Sequence, residues 1–173
     1  MFATIYLPNF YLQAAVRHQP ELRLKPIALL DDQETKAIIL QLNQSAENAG
    51  VNKGMTSSQG LARCLNLVVK TRVRAQEQLL GEMVLQQAYT LAPYVEATAA
   101  GVCTVQFTDD RNLVAKVSRL IARLAESEIT AQTGIAPSPD TSFLAAHLAN
   151  PVLQIDDAKQ FLAPLPIETL AID

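Results

Sequence analysis

Residues 94–108 read Tyr94-Val-Glu-Ala-Thr-Ala-Ala-Gly-Val-Cys-Thr-Val-Gln-Phe-Thr108. Two β-prone runs, 94–98 and 102–108, flank Ala99-Ala-Gly101, three small residues at which the chain can reverse, so the stretch is expected to form a β-hairpin. Upstream, Phe2-Ala-Thr-Ile-Tyr-Leu7 is a short apolar run stopped by Pro8, the pattern of a buried strand. Downstream, Leu113, Val117, Leu120, Ile121 and Leu124 recur at helical spacing, and Ile129 to Thr133 reads as a further strand. Ser138-Pro139 supplies a cap and a first-turn proline for a helix reaching about Ala149, where Asn150-Pro151 ends it. A last short helix is expected from Asp156 to Phe161. Strand–helix, hairpin, helix–strand is the order of a split βαβ arrangement. The fold class read from it is α+β, a mostly antiparallel sheet covered by helices on one side.

Between the first strand and the hairpin the pattern is more helical. Asn9 is placed to cap a helix with Phe10, Ala14 and Ala15 facing inward, ended by Pro20. Pro26–Leu30 and Ala37–Leu40 are β-prone runs joined by a polar loop, Asp31 to Thr35. Asn43–Ala49 suits a short helix with Gly50 at its left-handed C-terminal position, and Asn52-Lys-Gly54 suits a turn. Thr56 or Ser57 caps a second short helix ending near Cys64, and Leu67–Val69 is another strand. A long helix is expected over 73–91, with Leu79, Leu80, Met83, Gln87 and Leu91 near one face and Pro93 closing it. Residues 36–70 therefore read as a small helical insertion into a sheet built from 1–35 and 71–173.

The composition is that of a globular domain: of 173 residues, 49% are hydrophobic and 18% charged. With 5% aromatics and no Trp, aliphatic packing must dominate the core. No basic leader opens the chain and no run approaches the roughly 18 apolar residues of a membrane span, so the expectation is a cytoplasmic protein with no membrane partner. Cys64 and Cys103 lack metal-ligand spacing and read as reduced, buried thiols. The net charge of −3 matters for partners, because a domain that grips nucleic acid unaided usually carries a basic excess.

Few residues suggest chemistry. Asp109-Asp110 could attract a metal, but acids at a helix N-terminus complement the dipole and need none. His18 and His147 have no Ser or Cys at a telling spacing and read as structural or solvated. Lys53 between Gly50 and Gly54 lacks the phosphate-loop spacing and reads as part of a turn. Lys70, Arg72 and Arg74 cluster where a strand meets the long helix. A solvated junction accounts for them better than a nucleic-acid contact, yet positive charge at a helix N-terminus opposes the dipole, which keeps the contact as a candidate.

Three segments, in order, carry a family resemblance. Tyr11-Leu-Gln-Ala-Ala-Val16 with Pro20-Glu-Leu-Arg-Leu-Lys-Pro-Ile-Ala28 is similar to a first helix followed by a "PEL…KP(I/V)A" strand start. Ala49-Gly-Val-Asn-Lys-Gly-Met55 with Ala62-Arg-Cys-Leu-Asn-Leu-Val-Val69 is similar to "GV..GM…A…CP.LVV". Thr133-Gly-Ile-Ala136, Phe143-Leu-Ala-Ala146 and Phe161-Leu-Ala-Pro-Leu-Pro-Ile167 follow. Together they resemble the palm and fingers of the Y-family, translesion DNA polymerases. The resemblance implies a palm-like domain of 1–35 and 71–173 and a fingers-like insertion of 36–70. It stops at Asp173 with no thumb or little finger, so a fragment or truncated protein is expected.

That family joins a 3′-hydroxyl to an α-phosphate with two Mg²⁺ ions about 4 Å apart, held by carboxylates. By the resemblance its first Asp falls on Leu7 and its Asp-Glu pair on Gly101 and Val102, none of which can ligate a metal. In another register Asn9 offers one neutral carbonyl, and Glu96 stands too early in the hairpin. The family's triphosphate-binding Tyr and Arg fall on Gln44 and Glu47, and the lysines of a later element are missing from Asp140–Ala146, ending at Ala146. A negative Glu47 repels phosphate where an Arg attracts it. No metal and no other cofactor is expected.

The degenerate pattern is most similar to the ImuB-like branch. In that branch the polymerase fold is a non-catalytic adaptor in damage-induced translesion synthesis and mutagenesis. It joins a replicative-type mutagenic polymerase to the sliding clamp, mostly through regions beyond the segment present here. Damaged DNA is expected to bind weakly. Two alternatives stay open: an active lesion-bypass polymerase whose site is aligned wrongly above, and a stand-alone protein-interaction domain.

Overall fold

The computed structural model describes residues 1–22, 24–31 and 37–170. The polar loop read over 31–35 therefore lies largely outside the described residues. The chain divides into two compact units, one of residues 1–8 and 81–173, the other of residues 9–80.

The first unit is organised by a five-stranded sheet in the order β5-β6-β1-β7-β8. Here β1 is Phe2–Tyr6, β5 Tyr94–Ala99, β6 Val102–Gln106, β7 Gln132–Ala136 and β8 Val152–Gln154. The hairpin read from 94–108 is present, and the strand ending at Leu7 lies beside it: β1 pairs antiparallel with β6, with Ile5 opposite Cys103 and Tyr6 opposite Val102. On its other side β1 pairs antiparallel with β7, and only β7–β8 is parallel. The sheet is thus mostly antiparallel, as the element order required.

The central strands of this sheet are buried on both faces, where the sequence suggested helices on one side, while edge strand β5 is largely exposed. Helix α6, Pro139–Leu148, lies on the face that carries Thr4 and Gly134. On the opposite face Ala3, Ile5, Val105 and Ile135 are each fully buried as well. The apolar run of β1 has no polar alternation, which is the pattern of a strand covered twice. Gly134 lets α6 sit close: a Cβ there would stand 2.2 Å from the Ser142 carbonyl oxygen and 2.3 Å from the Ala146 nitrogen.

Helix α5, Leu113–Glu126, buries Leu113, Val117, Leu120 and Leu124, the expected stripe less Ile121. Neither Asp109 nor Asp110 caps it, contrary to the dipole reading. Asn112 occupies the cap position in a left-handed conformation, Asp109 accepts from Arg111, and Asp110 pairs with the N-terminal amine at 3.2 Å. The strand expected at 129–133 begins instead at Gln132, because Ile129 still belongs to the end of α5. Glu128 adopts φ 64°, its N–H reaches the Ala125 oxygen, and the Ile129 N–H reaches the Leu124 oxygen, a Schellman closure that buries Ile129 against Leu124. Strand β8 was not read from the sequence at all; three residues give too short a pattern. Helix α7 spans Ala158–Leu162, capped by Asp157.

The second unit holds a three-stranded sheet in the order β3-β2-β4, with β2 at Ile27–Leu30, β3 at Ile39–Leu42 and β4 at Val68–Thr71. All four β2 residues are buried because the strand is sandwiched. Ile27 and Leu29 join Leu12, Ala15 and Leu22, the first two from helix α1, Phe10–Val16. Ala28 and Leu30 join Ile39, Leu42, Ala46, Val51, Cys64 and Leu67 around helices α2, Gln44–Asn48, and α3, Ser57–Arg63. Of the two caps offered by the sequence, Thr56 is the one used, and it forms a capping box with Gln59. Because β2 hydrogen-bonds to both β3 and β4, this unit runs from 9 to 80 and is wider than the 36–70 segment read from the sequence.

Asn9 occupies the cap position of α1 and its carbonyl accepts from the Gln13 N–H, but its side chain makes no capping bond. Its φ is 50°, and its side-chain amide donates to the Leu42 oxygen at 3.3 Å. Helix α4, Arg74–Tyr89, begins in this unit and ends in the other. Its buried residues are Glu77, Leu80, Val84 and Ala88; of the face expected, Leu80 is buried, Met83, Gln87 and Leu91 are half-buried, and Leu79 is half exposed. Among the described residues no helix is long and apolar enough to cross a membrane.

Candidate functional site

At the end of β1 the Leu7 N–H donates to the Gly101 carbonyl at 2.8 Å, and Tyr6 faces Val102 across the ladder. The structure thus brings Leu7, Gly101 and Val102 together, although almost a hundred residues separate them in sequence. Leu7 is 1% exposed and Val102 8%. Gly101 sits in the hairpin turn at φ 73°, a conformation that an L side chain adopts only with strain.

Around this point the chemistry is apolar and aromatic. The Tyr6 ring stacks on His147, centroids 3.9 Å apart and 28° between planes, and Phe143 lies 4.5 Å from the same imidazole. The His147 Nδ1 is 2.9 Å from the Phe143 carbonyl oxygen one helical turn back, so its first role is structural. Burial pushes the Tyr6 hydroxyl above its ordinary pKa. A buried polar chain runs beside it: the Thr4 and Ser142 hydroxyls are 2.7 Å apart, Thr4 also meets Thr104 at 3.2 Å, and Ser142 donates to the Pro139 oxygen. Sequence reading missed this chain, because Thr and Ser inside apolar runs give no pattern until the strands are paired.

The donor set does not fit Mg²⁺. A hard cation requires oxygen ligands, and the three convergent positions offer two hydrocarbon side chains and a glycine. Among the described residues no three His, Cys, Asp or Glu side chains group so as to hold a metal. Glu96, the acid nearest in sequence to the turn, lies opposite Thr104 on β5, several residues before Gly101.

The second unit holds the other positions singled out. Gln44 and Glu47 are exposed on α2, Gln44 donating to Asn48. Asn43, which sequence reading treated only as a helix start, is the organiser here: its Oδ1 accepts from Ile27 and Ala46, and its Nδ2 donates to the Lys25 oxygen. Ala146, in the first unit, is fully buried against Gly134.

Lys70, Arg72 and Arg74 do not act as one group. Lys70 donates to Gln19 at 2.7 Å. Arg72 makes two hydrogen bonds to Glu77, at 2.8 and 2.7 Å, and lies 3.8 Å over the Tyr11 ring. Those bonds to Glu77 raise the Arg72 pKa further. Arg74 is exposed.

Residues 5–147 match the impB/mucB/samB family. The chain belongs to this family. It is Y-family DNA polymerase-like, over the palm and fingers region. The DNA polymerase IV of Shewanella pealeana is 29% identical over 172 residues, covering 91% of this chain and 47% of the relative. That of Pseudomonas syringae pv. tomato is 27% identical, covering 93% and 48%. The chain spans about half the length of these relatives. A solved post-insertion binary complex of Dbh DNA polymerase superposes with a TM-score of 0.87 at 17% identity, over 97% of this chain and 52% of that one. DinB from Sulfolobus solfataricus gives 0.83 at 16%, over 97% and 52%. At that identity the likeness to the two solved structures is one of fold.

Proposed function

We propose that this chain is the palm-and-fingers half of a Y-family polymerase fold that no longer transfers nucleotides and serves as an adaptor in damage-induced translesion synthesis. The supporting observation is the meeting of Leu7, Gly101 and Val102 at one point, held by the Leu7 N–H to Gly101 bond. These are the positions at which the resemblance places the family's metal carboxylates, and two of them are packed hydrocarbon. Two-metal phosphoryl transfer needs carboxylates at that convergence. The exposed Glu47 and Gln44 fit the same reading, since neither attracts a triphosphate. Its partners in that role are a replicative-type polymerase and a sliding clamp, and it binds damaged DNA weakly on its own. With a net charge of −3 and Arg72 engaged by Glu77, the chain has no basic excess with which to grip phosphates.

The competing reading, an active lesion-bypass polymerase, draws on the names of the relatives. Calorimetric titration with Mg²⁺ and a primer-extension assay separate the two. The adaptor reading expects no saturable Mg²⁺ binding by the chain and no template-directed extension. Extension by the unmodified protein would overturn it.

A further inference from the structure

The first unit is strongly acidic: it carries five Lys and Arg against eleven Asp and Glu. Three of those five, Lys116, Arg119 and Arg123, line a single cleft of about 380 Å³ between the flank of α5 and the end of α4. Their spacing places them along one side of the helix over about 10 Å. Thr90, Leu91 and the largely buried Leu120 complete its lining, the two leucines being its apolar residues. None of the salt bridges among the described residues uses these three cations. Arg119 ties its Nε to the Ala115 oxygen at 3.2 Å, so its two terminal amino groups are left as donors. Along the chain the nearest acids are Glu126, three residues beyond Arg123, and Asp110, which pairs with the N-terminal amine; Asp109 is engaged by Arg111, although it feels the charge of Lys116.

Concentrating most of a unit's positive charge in one concave place focuses the local field for an anion. We propose that this cleft is a docking site for a short acidic peptide segment carrying an apolar side chain among its carboxylates. Three guanidinium and ammonium groups within one helix flank suit two or three carboxylates, the guanidinium N–H groups donating in pairs to the carboxylate oxygens. The leucines suit an aliphatic anchor, which a phosphate backbone does not offer. A longer nucleic acid would also meet a unit whose other charges are eleven acids and two bases, whereas a short segment need touch only the cleft. The cleft lies on helices remote in sequence from Leu7, so the inference holds whether or not the palm is catalytic.

The test is fluorescence anisotropy at low salt, with the purified chain and a labelled eight-residue peptide alternating glutamate and leucine. Comparators are the same peptide with glutamine for glutamate and a labelled oligothymidylate of equal charge. The acidic peptide should bind at least tenfold more tightly than either. Arg119→Glu combined with Arg123→Glu should weaken that binding at least tenfold, while Arg111→Glu, outside the cleft, should leave it within twofold. Circular dichroism checks that each variant is folded, which exposed helix positions should allow. Peptide binding that is absent, unchanged by the double reversal or equally reduced by Arg111→Glu overturns the proposal. Tighter binding of the oligothymidylate assigns the cleft to nucleic acid instead and overturns it equally.

Discussion

Placing a carboxylate at Leu7, where the resemblance puts the family's first Asp, tests whether this position can serve as a metal site or is part of the core. Leu7 is 1% exposed. Removing its buried side chain forfeits about 2–5 kcal/mol, as core leucines do. A neutral carboxyl placed there without a hydrogen-bond partner costs about 1–3 kcal/mol more. The ionised form is worse still, so the folded-state pKa of the new Asp must rise above its unfolded value of about 3.9. The sign follows: the folded state binds the proton more tightly, so stability is greatest below the unfolded pKa and falls as pH rises, by about 1.4 kcal/mol per unit, until the folded pKa is passed. The uncharged, similarly sized Leu7→Asn should show the packing loss without that pH dependence. Urea denaturation of both variants, followed by circular dichroism at pH 5 and pH 8 with and without Mg²⁺, reads the difference directly. Leu7→Asp should be destabilised by at least about 3 kcal/mol at pH 5 and further at pH 8, with no response to Mg²⁺. A variant within about 1 kcal/mol of the parent at pH 8, or one selectively stabilised by Mg²⁺, would refute the argument that this point is dry and packed.

Adding Gly101→Asp and Val102→Glu to Leu7→Asp should restore some Mg²⁺ affinity by calorimetry but little primer extension, because Gln44 and Glu47 still offer no triphosphate site and an Asp at φ 73° is strained. Gly134→Ala forces α6 off the sheet, since its Cβ would meet backbone atoms at 2.2 and 2.3 Å; a loss of about 3 kcal/mol or more is expected in thermal unfolding, and a loss under 1 kcal/mol would show the contact is soft. Arg72→Lys cannot reproduce both bonds to Glu77 or the stacking on Tyr11, so denaturant unfolding should register a loss of about 1–3 kcal/mol. Burial pushes the Cys103 thiol up to about 12, so thiolate-specific alkylation at pH 8 should reach it only on unfolding; rapid modification of the native protein would contradict its burial.

The sequence alone determined the parts of this protein whose signals are local. The hairpin at 94–108 was legible because small residues at its turn separate two β-prone runs, and the α3 and α6 starts were legible because Thr56 and Ser138 bond to backbone three residues away. That Leu7, Gly101 and Val102 carry no side-chain metal ligand was legible too, since this holds wherever the chain puts them; that they stand at the family's metal positions is what the resemblance implies. Only the tertiary structure decided what depends on partners distant in sequence. Periodicity put Leu79 and Leu80 of α4 on one face, but only Leu80 is buried, alongside Glu77, Val84 and Ala88, because burial depends on what packs opposite. Charge clustering could not tell that Arg72 belongs to Glu77 and Tyr11, or that Lys116, Arg119 and Arg123 gather beside Leu91 in one cleft. The meeting of Leu7 with Gly101 is of this second kind: a backbone hydrogen bond between segments almost a hundred residues apart, set by strand register, which no local pattern encodes.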